Sequence, residues 1–454
     1  MPSSHHATFS TSARHAASPL KKKTPDTRGG PPKVGGLKLN IKKKGRERND
    51  KPPPPGMRKA LRKQVILTNS NALVVPGLEE LSASNSAAES SRGRVLAFSS
   101  STIDSLRAVN AFKPRQGWNF FRRPAALMRR ETFDIAQDMD KVDKSKGAKT
   151  VRRILTGERS SGKSTLLLQA MAMAFLKGWI VISIPEAQDL VNGNTDYAPL
   201  PNTSPTQYVQ KTYVQALLAQ IAKANEQPLS QMTLSLDDHQ LPLPVQSNIA
   251  LDRFCAMGAS DPEVAWPFFL ALWRELTVAG GAAKRPPVLL AIDDVHHVMR
   301  HSKYMSADYK PVHAHDLALV SWFMSHLGGS SGLASGGMVL AATSESNRPA
   351  SESLDFAIRQ SEFAQAANSV VKGEEPVWNP YKELDAQVMN SVSGAEVLRL
   401  RGLSKEEARS VLEYWAKSGI VKDKIDARMV DERWALAGGG IIGGLERNSI
   451  SWRV

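Results

Sequence analysis

Cysteine is nearly missing from this 454-residue chain, with Cys255 standing alone. A single thiol excludes an internal disulfide framework and any cysteine-rich zinc module, and it suits a reducing compartment. Long apolar runs are missing as well. The stretch from Leu166 to Leu176 is interrupted by Gln169 and falls far short of the ~20 residues a helix needs to cross a bilayer, so no membrane span is expected. No Asn-Lys-x-Asp motif occurs, so the guanine-reading device of small GTPases is lacking, and the residues themselves leave guanine and adenine both open. No internal repeat is present.

What remains is ordinary for a globular protein, 41% hydrophobic and 23% charged, and the length predicts one large domain or two plus tails. The charge is unevenly placed. Of a net +15, the segment from Met1 to Lys63 carries +14, with 17 Lys/Arg against Asp26, Glu47 and Asp50, while the rest of the chain is close to neutral. That segment holds Lys21-Lys22-Lys23, Lys42-Lys43-Lys44 and Pro52-Pro53-Pro54-Pro55 with few large apolar residues. It reads as a basic arm, disordered when free, whose partner is a polyanion such as RNA. Its first 25 residues lack acids and include Arg14 among many Ser, Thr and Ala, the composition of a mitochondrial transit peptide.

Residues 64–139 read as an extension. Phe112, Trp118, Phe120 and Phe121 alternate there with Arg115, Arg122, Arg123, Arg129 and Arg130. Two readings are open: a clamp on nucleic acid, or a segment anchored across a neighbouring core with its arginines in water. From Val151 onward, short apolar runs alternate with helical patterns. Arg153–Thr156, Trp179–Ile184, Val288–Asp293, Met338–Thr343 and Val397–Arg401 are expected strands, and Lys163–Lys177, Thr206–Asn225 and Asp261–Thr277 expected helices. The fold class is therefore α/β, a mostly parallel sheet with helices on both faces. Ser404-Lys405-Glu406-Glu407 is a capping box opening a helix to about Lys417, and a second helical pattern, Ile425–Leu436, ends in a run of glycines.

The sharpest signal is Gly157-Glu158-Arg159-Ser160-Ser161-Gly162-Lys163-Ser164, a full match to G-x-x-x-x-G-K-[ST] between an expected strand and the strongly helical run from Thr165 to Ala172. Glycines let backbone N–H groups converge on phosphate oxygens, the lysine supplies a point charge, and the serine hydroxyl ligates Mg²⁺. The run Val288-Leu289-Leu290-Ala291-Ile292 ends in Asp293-Asp294. Asp293 is the expected metal-side acid. Asp294 stands where hydrolytic relatives keep a general base, usually Glu, and its shorter reach predicts slow hydrolysis at best. Thr343 or Ser344, at another strand end, is the candidate γ-phosphate sensor. His296, His297, His313 and His315 have no matched ligand set for zinc and read as exposed or capping.

Together these residues resemble the death-associated protein three family, P-loop proteins of the mitochondrial small ribosomal subunit. The resemblance is carried by Leu155–Ser164, by Trp179 to Val191 with its Ile184-Pro185-Glu186-Ala187 step, and by Asp196-Tyr197. It continues in the Phe112…Gln116-Gly117-Trp118…Arg129 stretch, Asp293-Asp294 and Leu403-Ser404…Glu407-Ala408. The arm and its first residues have a fungal style. The resemblance implies an AAA+-like P-loop domain over residues 140–403 with a helical lid over 404–454, and a bound GTP or GDP with Mg²⁺ kept as a structural element. It also implies contacts with small-subunit rRNA, neighbouring ribosomal proteins and the large subunit. Carried onto this chain, Gly157, Gly162, Lys163 and Ser164 hold phosphates and metal, and Asp293 supports the metal. Two departures stand out: one glycine fewer within the loop than many relatives carry, and a glycine-rich Gly438–Gly444. The rival class is an active AAA+ or signal-transduction NTPase switch, for instance in apoptosis.

Overall fold

In the computed structural model, five apolar segments pair into one parallel sheet, and the residues described are 65–114, 116–145, 149–235, 241–246, 248–277, 285–367 and 375–450. These fall within a single compact unit, Arg58–Val454. The expected arm and transit peptide, and Arg115, lie outside the described residues.

An antiparallel pair, β1 (Val95–Ala97) and β2 (Ala125–Leu127), precedes the sheet, with α1 (Ser100–Ala108) between its strands and α2 (Arg130–Lys144) after it. Then come β3 (Thr150–Gly157), α3 (Lys163–Leu176), β4 (Ile180–Ile184), α4 (Lys211–Ala224), α5 (Leu251–Gly258), α6 (Pro262–Thr277) and β5 (Val288–Ile292). A hairpin of β6 (His301–Met305) and β7 (Pro311–His313) leads to α7 (Ala318–Gly328), β8 (Gly337–Ala342), α8 (Glu352–Ala367), α9 (Ala386–Val392) and β9 (Glu396–Leu400). Three helices follow: α10 (Lys405–Lys417), α11 (Ala427–Leu436) and α12 (Ile442–Ser449).

The sheet order is β9-β3-β8-β5-β4, every neighbouring pair parallel. β4, β5 and β8 are buried along their whole length, the pattern of strands covered on both faces. Their side chains alternate between two apolar clusters. Ile180, Ile182, Val288, Leu290, Ile292, Val339 and Ala341 join one, with α4–α7; Val181, Leu289, Ala291, Met338, Leu340 and Ala342 join the other, with α2 and α3. Burying each aliphatic side chain stabilises by roughly 1.5–3 kcal/mol, so two such layers fix the register. All five expected strands enter the sheet. The expected helix from Thr206 begins only at Lys211, because Tyr208–Val209 pairs with Ala198–Pro199 instead.

A third cluster joins the two ends of the unit. Leu403, Leu412, Trp415 and Leu445 pack with Val95, Phe121 and Leu127, and the Phe121 ring stacks on Tyr414 at 5.1 Å. Phe112 and Trp118 are buried too, so these aromatics belong to cores. The arginines do not all stay in water: Arg129 is 6% exposed and sits in an ion pair with Glu131. The Ser404 box forms with both of its bonds, through Glu407. Beyond the glycine run, where the sequence predicts no helix, α12 forms because Gly443 has no side chain. A Cβ there would stand 2.4 Å from the Ser160 Cβ.

The expectation for His296 and His297 is corrected. Both are buried, at 1% and 6%, because the turn Val295–Val298 tucks under the end of β8, where the Ser344 N–H donates to His296 Nδ1 at 3.4 Å. His313 caps the Ala314–Asp316 turn, its Nδ1 accepting from the His315 N–H at 3.2 Å. Burial pushes the His315 imidazole down to about 4, and His297, His313 and His326 also move down, burial being the largest cause for each. These rings resist protonation in the folded state, whereas the unfolded chain protonates near 6.5. Stability is therefore full above about pH 6.5 and falls as pH drops toward 4. Thermal melts from pH 7 to 4.5 are expected to lose several degrees, with a shallower slope for His315→Gln. Parallel slopes would remove His315 from the cause.

Candidate functional site

The strands present their C-terminal ends at one edge, and the loops after β3 and β5 meet there. After β3 the chain turns through Gly157 (φ 145°), Ser160 (φ 59°) and Gly162 (φ 98°) into α3. Gly157 is obligatory on space as well as angle, since a Cβ would meet the Leu400 carbonyl oxygen at 2.6 Å. No side chain caps α3, leaving the N–H groups of its first turn directed into the loop. The Ser161 hydroxyl is buried and without a hydrogen-bond partner. Glu158, Arg159 and Ser160 are exposed on the rim.

Lys163, 7% exposed, donates from Nζ to the Gly157 and Glu158 carbonyls at 2.7 and 2.9 Å, closing the loop on itself. Burial holds its ammonium below the usual lysine range, while Glu345, Asp293 and Asp294 pull it back up. Asp293 lies at the end of β5, 3% exposed, with the Lys113 ammonium 3.4 Å from its Oδ2 and the Ser164 side chain close enough to favour its charged form. Burial raises that carboxyl above the usual range, and the Lys113 charge opposes the rise. Asp294 follows in the left-handed region (φ 61°), its N–H turned back to Asp293 Oδ1 at 3.1 Å.

The arrangement thus brings together Gly157 to Thr165, Asp293 and Asp294. Thr343 is not aimed into it: its hydroxyl donates to the Leu155 carbonyl at 3.0 Å and serves the sheet. Ser344 is buried and bonded to Ser346. Two residues enter that sequence reasoning does not assign to the site. Lys113 reaches in from the extension, Nζ to Asp293 Oδ2 at 3.4 Å. Arg129 donates to the Ser161 carbonyl at 2.8 Å and the Arg401 carbonyl at 2.6 Å, tying the loop to the end of β9. Neither contact with the site has a local signal, since the partners there are distant in sequence.

The C-terminal helices form the remaining wall. The Gly443 N–H donates to the Ser160 carbonyl at 3.1 Å, and Ile442 faces Gly162. A cleft of about 460 Å³ opens beside this contact, between Glu158–Arg159 and Ala437, Ile441 and Arg447. Chemically, the site offers a concave set of backbone donors, one buried ammonium and a hydroxyl–carboxylate pair.

The family described as mitochondrial ribosomal death-associated protein 3 matches residues 126–448, a span that takes in the loop, Asp293-Asp294 and the C-terminal helices. The small ribosomal subunit protein mS29 of Neurospora crassa is 43% identical over 411 residues, covering 90% of this chain and 85% of that protein. The mS29 of Schizosaccharomyces pombe is 23% identical over 342 residues, 74% of this chain and 67% of that protein. On a match across most of its length and a relative of this identity, the chain belongs to the mitochondrial ribosomal death-associated protein 3 family.

Proposed function

We propose that the chain is a structural component of the mitochondrial small ribosomal subunit and holds a guanine nucleotide, GTP or GDP, with Mg²⁺ in a P-loop. The ribosomal part rests on the relatives named as small-subunit proteins, and it sets the location, the mitochondrial ribosome in the matrix. The nucleotide part rests on one observation above all: Ser164 and Asp293, 129 positions apart, are brought together beneath an uncapped helix N-terminus, close enough for the serine to favour the charged carboxylate.

The residues fit the group. Gly157 to Gly162 would cradle phosphates through backbone N–H groups, with the unpartnered Ser161 hydroxyl as a further donor. Lys163 would exchange its two carbonyl partners for phosphate oxygens, and Ser164 with Asp293 would hold the metal. Bound Mg²⁺ supplies charge neutralisation of the phosphates. Thr165 carries the cradle into the helix. In this reading α10–α12 act as the lid, residues 64–139 brace the core, and the arm through Lys63 binds rRNA.

Asp294 is half-buried and shorter than the glutamate such a base usually is, which disfavours a role as general base. Turnover is therefore expected to be slow. A kcat of roughly 1–10³ s⁻¹ would favour the rival NTPase switch. Sedimentation of mitochondrial lysate tests the ribosomal reading: the chain should travel with the small subunit, and a free pool alone would refute it. Deleting residues through Lys63 is expected to weaken rRNA binding and to lower the salt slope by about 0.7–0.9 for each phosphate no longer neutralised. An unchanged slope would show that the arm is not the electrostatic anchor.

A further inference from the structure

The acid expected to support a metal already has a cation of the chain's own. Lys113 Nζ stands 3.4 Å from Asp293 Oδ2 and 3.9 Å from Glu186 Oε1, and it donates to the Pro185 carbonyl. The lysine side chain is 19% exposed and the aspartate side chain 4%. This is not a surface lysine folded inward by chance. Its backbone N–H donates to Gln116 Oε1 at 3.0 Å, and the Trp118 indole donates to the same oxygen at 2.7 Å. Gln116 Nε2 in turn reaches Thr165 Oγ1 at 3.5 Å, at the start of α3. On either side Phe112 and Trp118 are buried and meet edge to face, ring centroids 5.3 Å apart. The extension is thus pinned at both ends of a short span, with one ammonium delivered between β4 and β5 at the mouth of the loop.

A site that depends on Mg²⁺ leaves its acid free to hold the ion or its water shell. Here one carboxylate oxygen is committed to a fixed ammonium, so the positive charge near the phosphates is part of the fold. Resting on the P-loop reading above, we propose that Lys113 is a resident counter-charge that substitutes in part for Mg²⁺, so that the chain retains nucleotide with little dependence on the metal. Lys113 is a positioning residue in this scheme: it acts through Asp293 and the charge of the site. A nucleotide held this way survives swings in free Mg²⁺, which suits a structural ligand better than a cycled one.

The test is equilibrium binding of a fluorescent guanosine diphosphate to the full chain, in Mg²⁺ and in EDTA, with melting curves alongside. Wild type is expected to lose about threefold or less in affinity on metal removal, and Lys113→Met about thirtyfold or more, because only the variant then depends on the ion's charge. Lys113→Arg, which keeps the charge, should restore the small ratio. If Lys113→Met does not fold, Lys113→Gln gives the same comparison. Equal ratios in wild type and variant overturn the proposal and leave the loop reading intact. Loss of binding in both buffers with an unchanged melting curve also overturns it, by making Lys113 a direct ligand contact. Wild type that binds in neither buffer overturns the loop reading itself.

Discussion

Arg129→Ala is expected to destabilise the fold by about 3–5 kcal/mol, the range for removing one partner of a buried ion pair. The guanidinium makes four hydrogen bonds: two to the Glu131 carboxylate, one to the Ser161 carbonyl and one to the Arg401 carbonyl. Alanine would leave Glu131, itself 9% exposed, as a buried charge with no cation, and two carbonyls without their donor. Lysine should not rescue, because a single ammonium cannot span three directions held by a planar fork. Denaturant unfolding of the full chain measures the loss. A change below about 1 kcal/mol would show that the loop and β9 hold together without this side chain.

Lys163→Ala is expected to reduce nucleotide affinity by at least about a hundredfold, since hydrogen bonds to a charged group contribute roughly 1.5–3 kcal/mol each and the ammonium would make two. The corresponding readout is stability. A ligand that binds only the folded chain at a hundred times its Kd raises stability by about 2.7 kcal/mol, and the variant should lose that increment while the ligand-free melts stay close. In the ligand-free chain the lysine only clamps the loop's own carbonyls, so its removal costs little there. Equal melting temperatures for wild type with and without nucleotide would overturn the scaffold role.

The contrast between these two residues shows what could be read from the chain beforehand. Lys163 sits in a contiguous motif whose spacing is its own evidence. Arg129 pairs with Glu131 two positions on but also holds carbonyls 32 and 272 positions away, Lys113 reaches partners 72 to 180 positions away, and nothing local reports those distant contacts. The strands were legible for a physical reason: a sheet covered on both faces needs unbroken apolar runs such as Val288 to Ile292, and few other structures do. His296 and His297 were misjudged because polarity in a sequence does not report that a short turn is folded beneath a neighbouring strand. Helix α12 escaped because Gly443 and Gly444 weaken its intrinsic preference; close approach to Ser160 decides there, against propensity.

That last approach has a bearing on how the molecule is made. The Ser160 carbonyl waits for an amide 283 positions downstream, so the mouth of the loop is closed by residues that are synthesised after every strand of the sheet. A product cut short before Ile442 would carry every strand of the sheet and still present an open, unguarded loop. Only a polypeptide carried past Gly443 can make the contact that covers the mouth of the loop.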